Sequence, residues 1–189
     1  MMRKMTKMIL AAPALLAGAT PALAHPGHDG GLVAGLIHPF TGADHLAAMV
    51  AVGLWAATRP ARQAWLAPAA FMGLLAAGAA AGVSFGAIPG VETMVAASVL
   101  ALGALLVLAT RLSSGLALGL IAATGALHGL AHGAEATGAL PSYFAGFLLS
   151  SAVLHGAGWL AGRTLFAQAQ GRLVAGLALG ATGLALLAA

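Results

Sequence analysis

From Gln63 to Thr110 the chain carries one charged side chain, Glu92, and from Leu112 to Gly162 it again carries one, Glu135. Stretches that long with so little charge cannot cover a water-facing surface. A soluble domain has about 25% charged residues. Here 6% of 189 residues are charged and 61% are hydrophobic, with a mean hydropathy of +0.99. A bilayer-spanning helix needs about 20 predominantly apolar residues. Inside hydrocarbon each backbone N–H and C=O must find its partner within the protein, which a helix achieves by itself. The expected fold is an all-α membrane protein, a bundle of about six transmembrane helices.

The apolar runs place those spans at 41–58, 64–85, 91–110, 114–133, 141–161 and 172–189. Before the first lies GLVAGLIH, too short to cross alone and expected to be stopped by Pro39. It reads as a short broken helical element packed against the bundle. Arg59 and Arg62 follow the first span, Arg111 the third, and Arg163 and Arg172 flank the connection after the fifth. The connections after the second and fourth spans have no Lys or Arg. Every basic connection therefore falls on one side, which the positive-inside rule makes cytoplasmic. Trp55, Trp65 and Trp159 near that side, and Tyr143 near the other, fit interfacial belts. Glycines at four-residue spacing (Gly78, Gly82, Gly86; Gly125, Gly129, Gly133; Gly176, Gly180) suit close helix packing.

Residues 1–24 read as a secretory signal peptide: Arg3, Lys4 and Lys7, then a short apolar stretch, then Ala-Leu-Ala ending at Ala24. Cleavage there leaves residues 25–189 as a single domain with its mature N-terminus outside, in agreement with the arginine pattern. This arrangement suggests a bacterial inner membrane with the N-terminus in the periplasm. The pI of about 10.8 owes much to those three leading cations. No basic patch suggests nucleic acid as a partner; the lipid bilayer is one. With no cysteine, disulfides and thiolate metal sites are excluded.

Against this apolar background the polar residues cluster. His38-Pro39-Phe40-Thr41-Gly42-Ala43-Asp44-His45 puts two histidines and a carboxylate around a helix break. Thr41 is expected as the cap of the following helix and Asp44 in its first turn. Met49 should lie one turn below His45. The second cluster is His128, His132 and Glu135, spaced four and three apart and so on one helical face. Paired imidazoles with a carboxylate suit Ni, Co, Zn, Fe or Mn. The first span starts outside and the fourth ends there, so both clusters are expected at one depth near the outer face. An ionisable group at mid-membrane costs about 2.5–3.5 kcal/mol on insertion scales, which favours a shared purpose over scattered packing. His155 should lie about 14 residues, or about 21 Å, inside the fifth span, as an inner relay ligand or a hydrogen-bonded structural residue. His25 and His28 at the mature start suit an outer metal chelator.

The pairing of His38-x5-Asp44-His45 with His128-Gly129-x-Ala131-His132-Gly133-x-Glu135 resembles the HupE/UreJ family, membrane proteins associated with hydrogenase and urease maturation and regarded as nickel or cobalt permeases. The resemblance extends over essentially the whole mature chain. It implies that His38, Asp44, His45, His128, His132 and Glu135 handle the metal, and that the ion is Ni2+ or Co2+, carried as substrate rather than held as a cofactor. It also implies hydrogenase or urease maturation proteins as partners. The residues alone specify only a divalent-metal site.

The function expected is therefore a non-enzymatic permease for Ni2+, with no prosthetic group. The chain has no phosphate-binding loop of the GxxxxGK[ST] type, so no ATP hydrolysis is expected. The alternative is an intramembrane zinc-dependent hydrolase using the same histidines, with Asp44 or Glu135 as base. A haem carrier with paired axial histidines and a metal sensor are further rivals.

Overall fold

The computed structural model describes residues 31–136, 139–168 and 170–189. The expected signal segment, together with His25 and His28, lies outside the described residues. Seven α-helices and no strand occur among the described residues: α1 Leu32–Thr41, α2 Ala43–Ala56, α3 Leu66–Phe85, α4 Val91–Val107, α5 Ser114–Glu135, α6 Leu140–Leu165 and α7 Gly171–Ala188. A 3-10 turn, Ala61–Gln63, leads into α3. Four helices are long and apolar enough to cross a membrane, namely α3 with its leading turn, α5, α6 and α7. Helices α2 and α4 are shorter, at 14 and 17 residues.

The polarity is that of a bundle in lipid. Large apolar side chains such as Leu74, Leu120, Leu149, Val153, Leu160, Leu177 and Leu184 face outward, while His45, His128, His132, His155, Ser98, Thr124, Ser150 and Ser151 are buried. Helix α2 runs through the middle, packed against every other helix except α5 at the strongest contacts. Its Ala48, Met49 and Val52 are fully enclosed.

Three pairings organise the rest. Helix α6 lies alongside α1 and α2 in the same direction: Gly35 meets Tyr143 and Phe147, and Gly158 meets Val50. Helices α3 and α5 also run parallel, and their glycines explain why. Gly129 presses on the backbone of Leu75 and Ala79, so close that any side chain there would collide with main chain. Helices α4 and α7 pack antiparallel, with Gly103 against Gly176 and Gly180. The four-residue glycine spacing thus marks close helix contacts, except at Gly86. That residue ends α3 at φ 71° with nothing within 4 Å, where the positive φ rather than packing calls for glycine.

The basic connections share one end of the bundle. Arg59 donates to the Ala109 carbonyl at 2.5 Å and to Ser114 Oγ at 3.3 Å. Arg172 donates to the carbonyls of Leu106, at 2.7 Å, and Val107. Both cations thereby cover carbonyls at or just beyond the C-terminus of α4.

Three local expectations are corrected. Pro39 does not stop α1, which continues to Thr41. The proline costs the helix its N–H bond to Gly35, but α1 is held from outside, with Ser150 Oγ donating to the Leu36 carbonyl at 2.7 Å. The break falls at Gly42, in extended backbone at φ −95° and ψ 124°. Nor is Thr41 the cap of α2; its hydroxyl donates back to the His38 carbonyl at 2.8 Å. Trp55 is not interfacial either. It is 2% exposed, with the Arg59 guanidinium 4.3 Å above its ring, because it sits on the central helix. Trp65, by contrast, is 63% exposed.

Candidate functional site

The end of the bundle opposite the basic connections holds the histidines. Gly42 turns the chain so that His38, near the end of α1, and His45, in the first turn of α2, come together. Helix α5 brings His132 from the other side. One nitrogen from each of His38, His45 and His132 lies within 4.8 Å of the others. The ring centroids are 4.1 Å apart for His45–His132, 4.6 Å for His38–His132 and 5.7 Å for His38–His45. Two nitrogens bound at about 2.1 Å to one ion stand at most about 4.2 Å apart. The group can therefore close on an ion with side-chain shifts of under about 1 Å.

Neighbouring acceptors set the tautomers. His45 Nδ1 meets Asp44 Oδ1, which also accepts the His45 backbone N–H at 2.7 Å. A carboxylate can only accept, so Nδ1 carries the proton and Nε2 offers its lone pair. That is the carboxylate–histidine pairing which orients a metal ligand. His128 repeats the logic one turn deeper: its Nδ1 donates to the Thr124 carbonyl at 2.9 Å, and its ring stands 5.2 Å from His45. In both residues Nε2 is buried without a hydrogen-bond partner among the described residues. His132, 1% exposed, has neither nitrogen paired among the described residues. An unsatisfied buried polar atom costs about 1–3 kcal/mol. A chain that accumulates several such atoms facing one another has assembled a donor set.

Two phenylalanines wall the group. The Phe147 ring lies tilted 4.4 Å from His132 and 6.0 Å from His38, and Phe71 stands 5.6 Å from His128; both are fully buried. Tyr143 adds its ring 5.9 Å from His38. The two phenylalanines escaped the sequence reading, since a phenylalanine in an apolar run carries no signal of what it faces, and Tyr143 was read only as a belt residue. Gly42 was missed as well. A Cβ there would lie 2.7 Å from His45 Nδ1 and 2.8 Å from Asp44 Oδ1, so glycine leaves the Asp44–His45 pair its room.

The other candidates stand apart. Glu135 is exposed at the end of α5, outside the three-histidine group. Met49, one turn below His45, is fully buried. His155 is 2% exposed and lies beyond Phe71, at 5.2 Å from that ring.

An apolar-surfaced helical bundle enclosing clustered imidazoles defines a multi-pass membrane protein with a metal-type donor set in its interior. The chain belongs to the HupE/UreJ family: the family described as HupE / UreJ protein matches residues 13–186. It is 39% identical over 180 residues to Protein HupE of Rhizobium leguminosarum bv. viciae, covering 90% of this chain and 92% of that relative. No solved structure matches it significantly.

Proposed function

We propose that the chain is a permease that imports a divalent transition-metal ion, Ni2+ in preference to Co2+, for metalloenzyme maturation. The observation that carries this reading is the convergence of His38, His45 and His132, from three helices, at the end of the bundle away from the arginines. With the arginine end cytoplasmic, the imidazoles face the periplasm of a bacterial inner membrane, and α2 to α7 are the six spans. His45, oriented by Asp44, binds the ion together with His38 and His132, and His128 receives it one turn deeper. Glu135 at the rim, and His25 and His28 on the mature N-terminus, act in capture. Residues 1–24 are the signal peptide and 25–189 the transport domain.

All-imidazole ligation suits Ni2+ or Co2+ better than Mg2+ or Ca2+. The ion is cargo, so no catalytic residue is assigned. Hydrogenase or urease maturation proteins are the downstream recipients, by the family's association. The test is uptake of radioactive Ni2+ into proteoliposomes by the wild type and by His38→Ala and His132→Ala. Time-dependent accumulation, lost in both variants, supports the permease. Surface binding without accumulation rejects it in favour of a sensor or an intramembrane metalloenzyme.

A further inference from the structure

At the arginine end a cavity of about 280 Å3 opens between α2, α3 and α6. Ala56, Pro68, Met72, Gly156, Trp65 and Trp159 supply most of its walls, so the lining is hydrocarbon and aromatic ring. His155 is the one ionisable side chain in that lining, and at 2% exposed it shows the space little polar surface. The cavity reaches the outside of the bundle. Trp65, Ala152 and Gly156, which line it, are exposed, on a surface that also carries the outward-facing Val153 and Leu160. A Cβ built on Gly156 would meet nothing within 4 Å. An apolar cavity of about 150 Å3 stays dry and holds a benzene molecule. This larger one, open toward lipid, takes a length of acyl chain.

The mouth of the cavity is positively charged. The Trp65 indole N–H donates to the Arg62 carbonyl at 3.1 Å. The Arg163 guanidinium lies 5.3 Å from the Trp159 ring, one turn back along α6. Each aromatic wall thus has a cation beside it, on the side of the basic connections. Arg59 and Arg172 are committed to carbonyls, whereas Arg62 and Arg163 are exposed. Among the described residues no carboxylate answers them. Asp44 and Glu135 belong to the opposite end of the bundle, as does Glu92 in the first turn of α4, whose other end meets Arg172. The counter-charge at this end comes from outside the bundle.

We propose that this groove is a specific site for one anionic phospholipid of the leaflet on the arginine side, with an acyl chain along the cavity and the phosphate held by Arg62 and Arg163. The site needs only that the bundle lies in a bilayer; it does not rest on the permease reading. Basic pockets between transmembrane helices bind anionic headgroups, and a guanidinium matches phosphate oxygens with paired hydrogen bonds. The depths agree. Gly156 and Arg163 are seven residues apart, about 10 Å along a helix, so the cavity lies at acyl-chain depth when the guanidinium is at headgroup level. Trp65 and Trp159 stand between, where indole rings favour the interface. A zwitterionic lipid offers the chain without net charge, and a free phosphate offers the charge without the chain. An anionic phospholipid satisfies both parts of the groove.

The experiment is native mass spectrometry of the full chain released from detergent, titrated with dioleoyl phosphatidylglycerol, dioleoyl phosphatidylcholine or glycerol 3-phosphate. A cation near the membrane surface favours an anionic lipid by about fivefold. The wild type is therefore expected to retain a single phosphatidylglycerol about thirtyfold more tightly than phosphatidylcholine, and the double variant Arg62→Gln, Arg163→Gln to bind the two lipids alike. Gly156→Leu puts a side chain into the cavity at unchanged charge and is expected to lose both lipids. Ala152→Leu makes the same test should Gly156→Leu fail to fold. Equal retention of the two lipids by the wild type, or a preference that survives the double arginine variant, would overturn the proposal. So would full phosphatidylglycerol affinity in a leucine variant that folds, or displacement of the lipid by glycerol 3-phosphate, since either reduces the site to surface attraction for phosphate. Ni2+ uptake is not read in any of these arms, so the lipid site and the permease are tested separately.

Discussion

Gly42→Ala should damage the metal site without harming the fold. At φ −95° and ψ 124° the backbone of Gly42 is in a region alanine adopts freely. Replacing a glycine where its conformation is compatible stabilises a protein by about 0.4–1 kcal/mol through the unfolded chain. Thermal stability should therefore hold or rise slightly. The new methyl carbon, however, would sit 2.7 Å from His45 Nδ1 and 2.8 Å from Asp44 Oδ1. Ordinary non-bonded separations are about 3.5–4.0 Å, so the Asp44–His45 pair must move by roughly 0.7–1.3 Å. Metal–ligand distances tolerate about 0.2 Å. Disturbing the partner that orients a ligand typically costs about 10–100-fold in affinity, which is about 1.4–2.7 kcal/mol. The assay is a Ni2+ titration of wild type and variant in nanodiscs, with thermal unfolding of both. An affinity within about twofold of wild type, at equal stability, would refute the claim that Asp44 holds His45 for the ion. Equal losses of affinity and stability would refute the claim that the collision is local.

Protons compete with metal ions for imidazole nitrogens. Uptake should therefore fall as the external pH is lowered from about 7.5 to about 5, and uptake that ignores this range would argue against histidine ligation. Arg172→Ala should leave Ni2+ binding intact but lower the unfolding temperature in detergent. Its guanidinium bonds the Leu106 and Val107 carbonyls, tying α7 to the end of α4. Charged hydrogen bonds contribute about 1.5–3 kcal/mol, and partial exposure brings this site to about 1 kcal/mol; no change in unfolding temperature would mean that water replaces those bonds without loss.

The class of molecule and the clustering of its histidines were both legible in the residues. Long runs without charge make helices in lipid the available solution, and four of the helices have the length and hydropathy to cross. The spacing of His128 and His132 placed both on one face because 3.6 residues per turn allows nothing else. Arg59 and Arg172 could be assigned to one end by counting spans, and their bonds to carbonyls at the end of α4 agree. The first polar stretch was harder. Pro39 looked like the break, and its local effect is real, but the grip of α6 on α1 outweighs it and moves the break to Gly42.

What only the tertiary structure decided is which faces meet. Local periodicity says that a helix has a face; the rotation of each helix about its axis is set by contacts with helices far along the chain. Those contacts put His132 between His38 and His45 while Glu135, one turn on, points out. They bury Trp55 rather than leave it at the interface, and they set Phe71 between His128 and His155. In an almost uniformly apolar sequence the hydrophobic pattern cannot tell a lipid-facing side chain from a core one. Close packing at small residues makes that choice, and here Gly129 against Leu75 and Gly35 against Tyr143 determine which way the histidines turn.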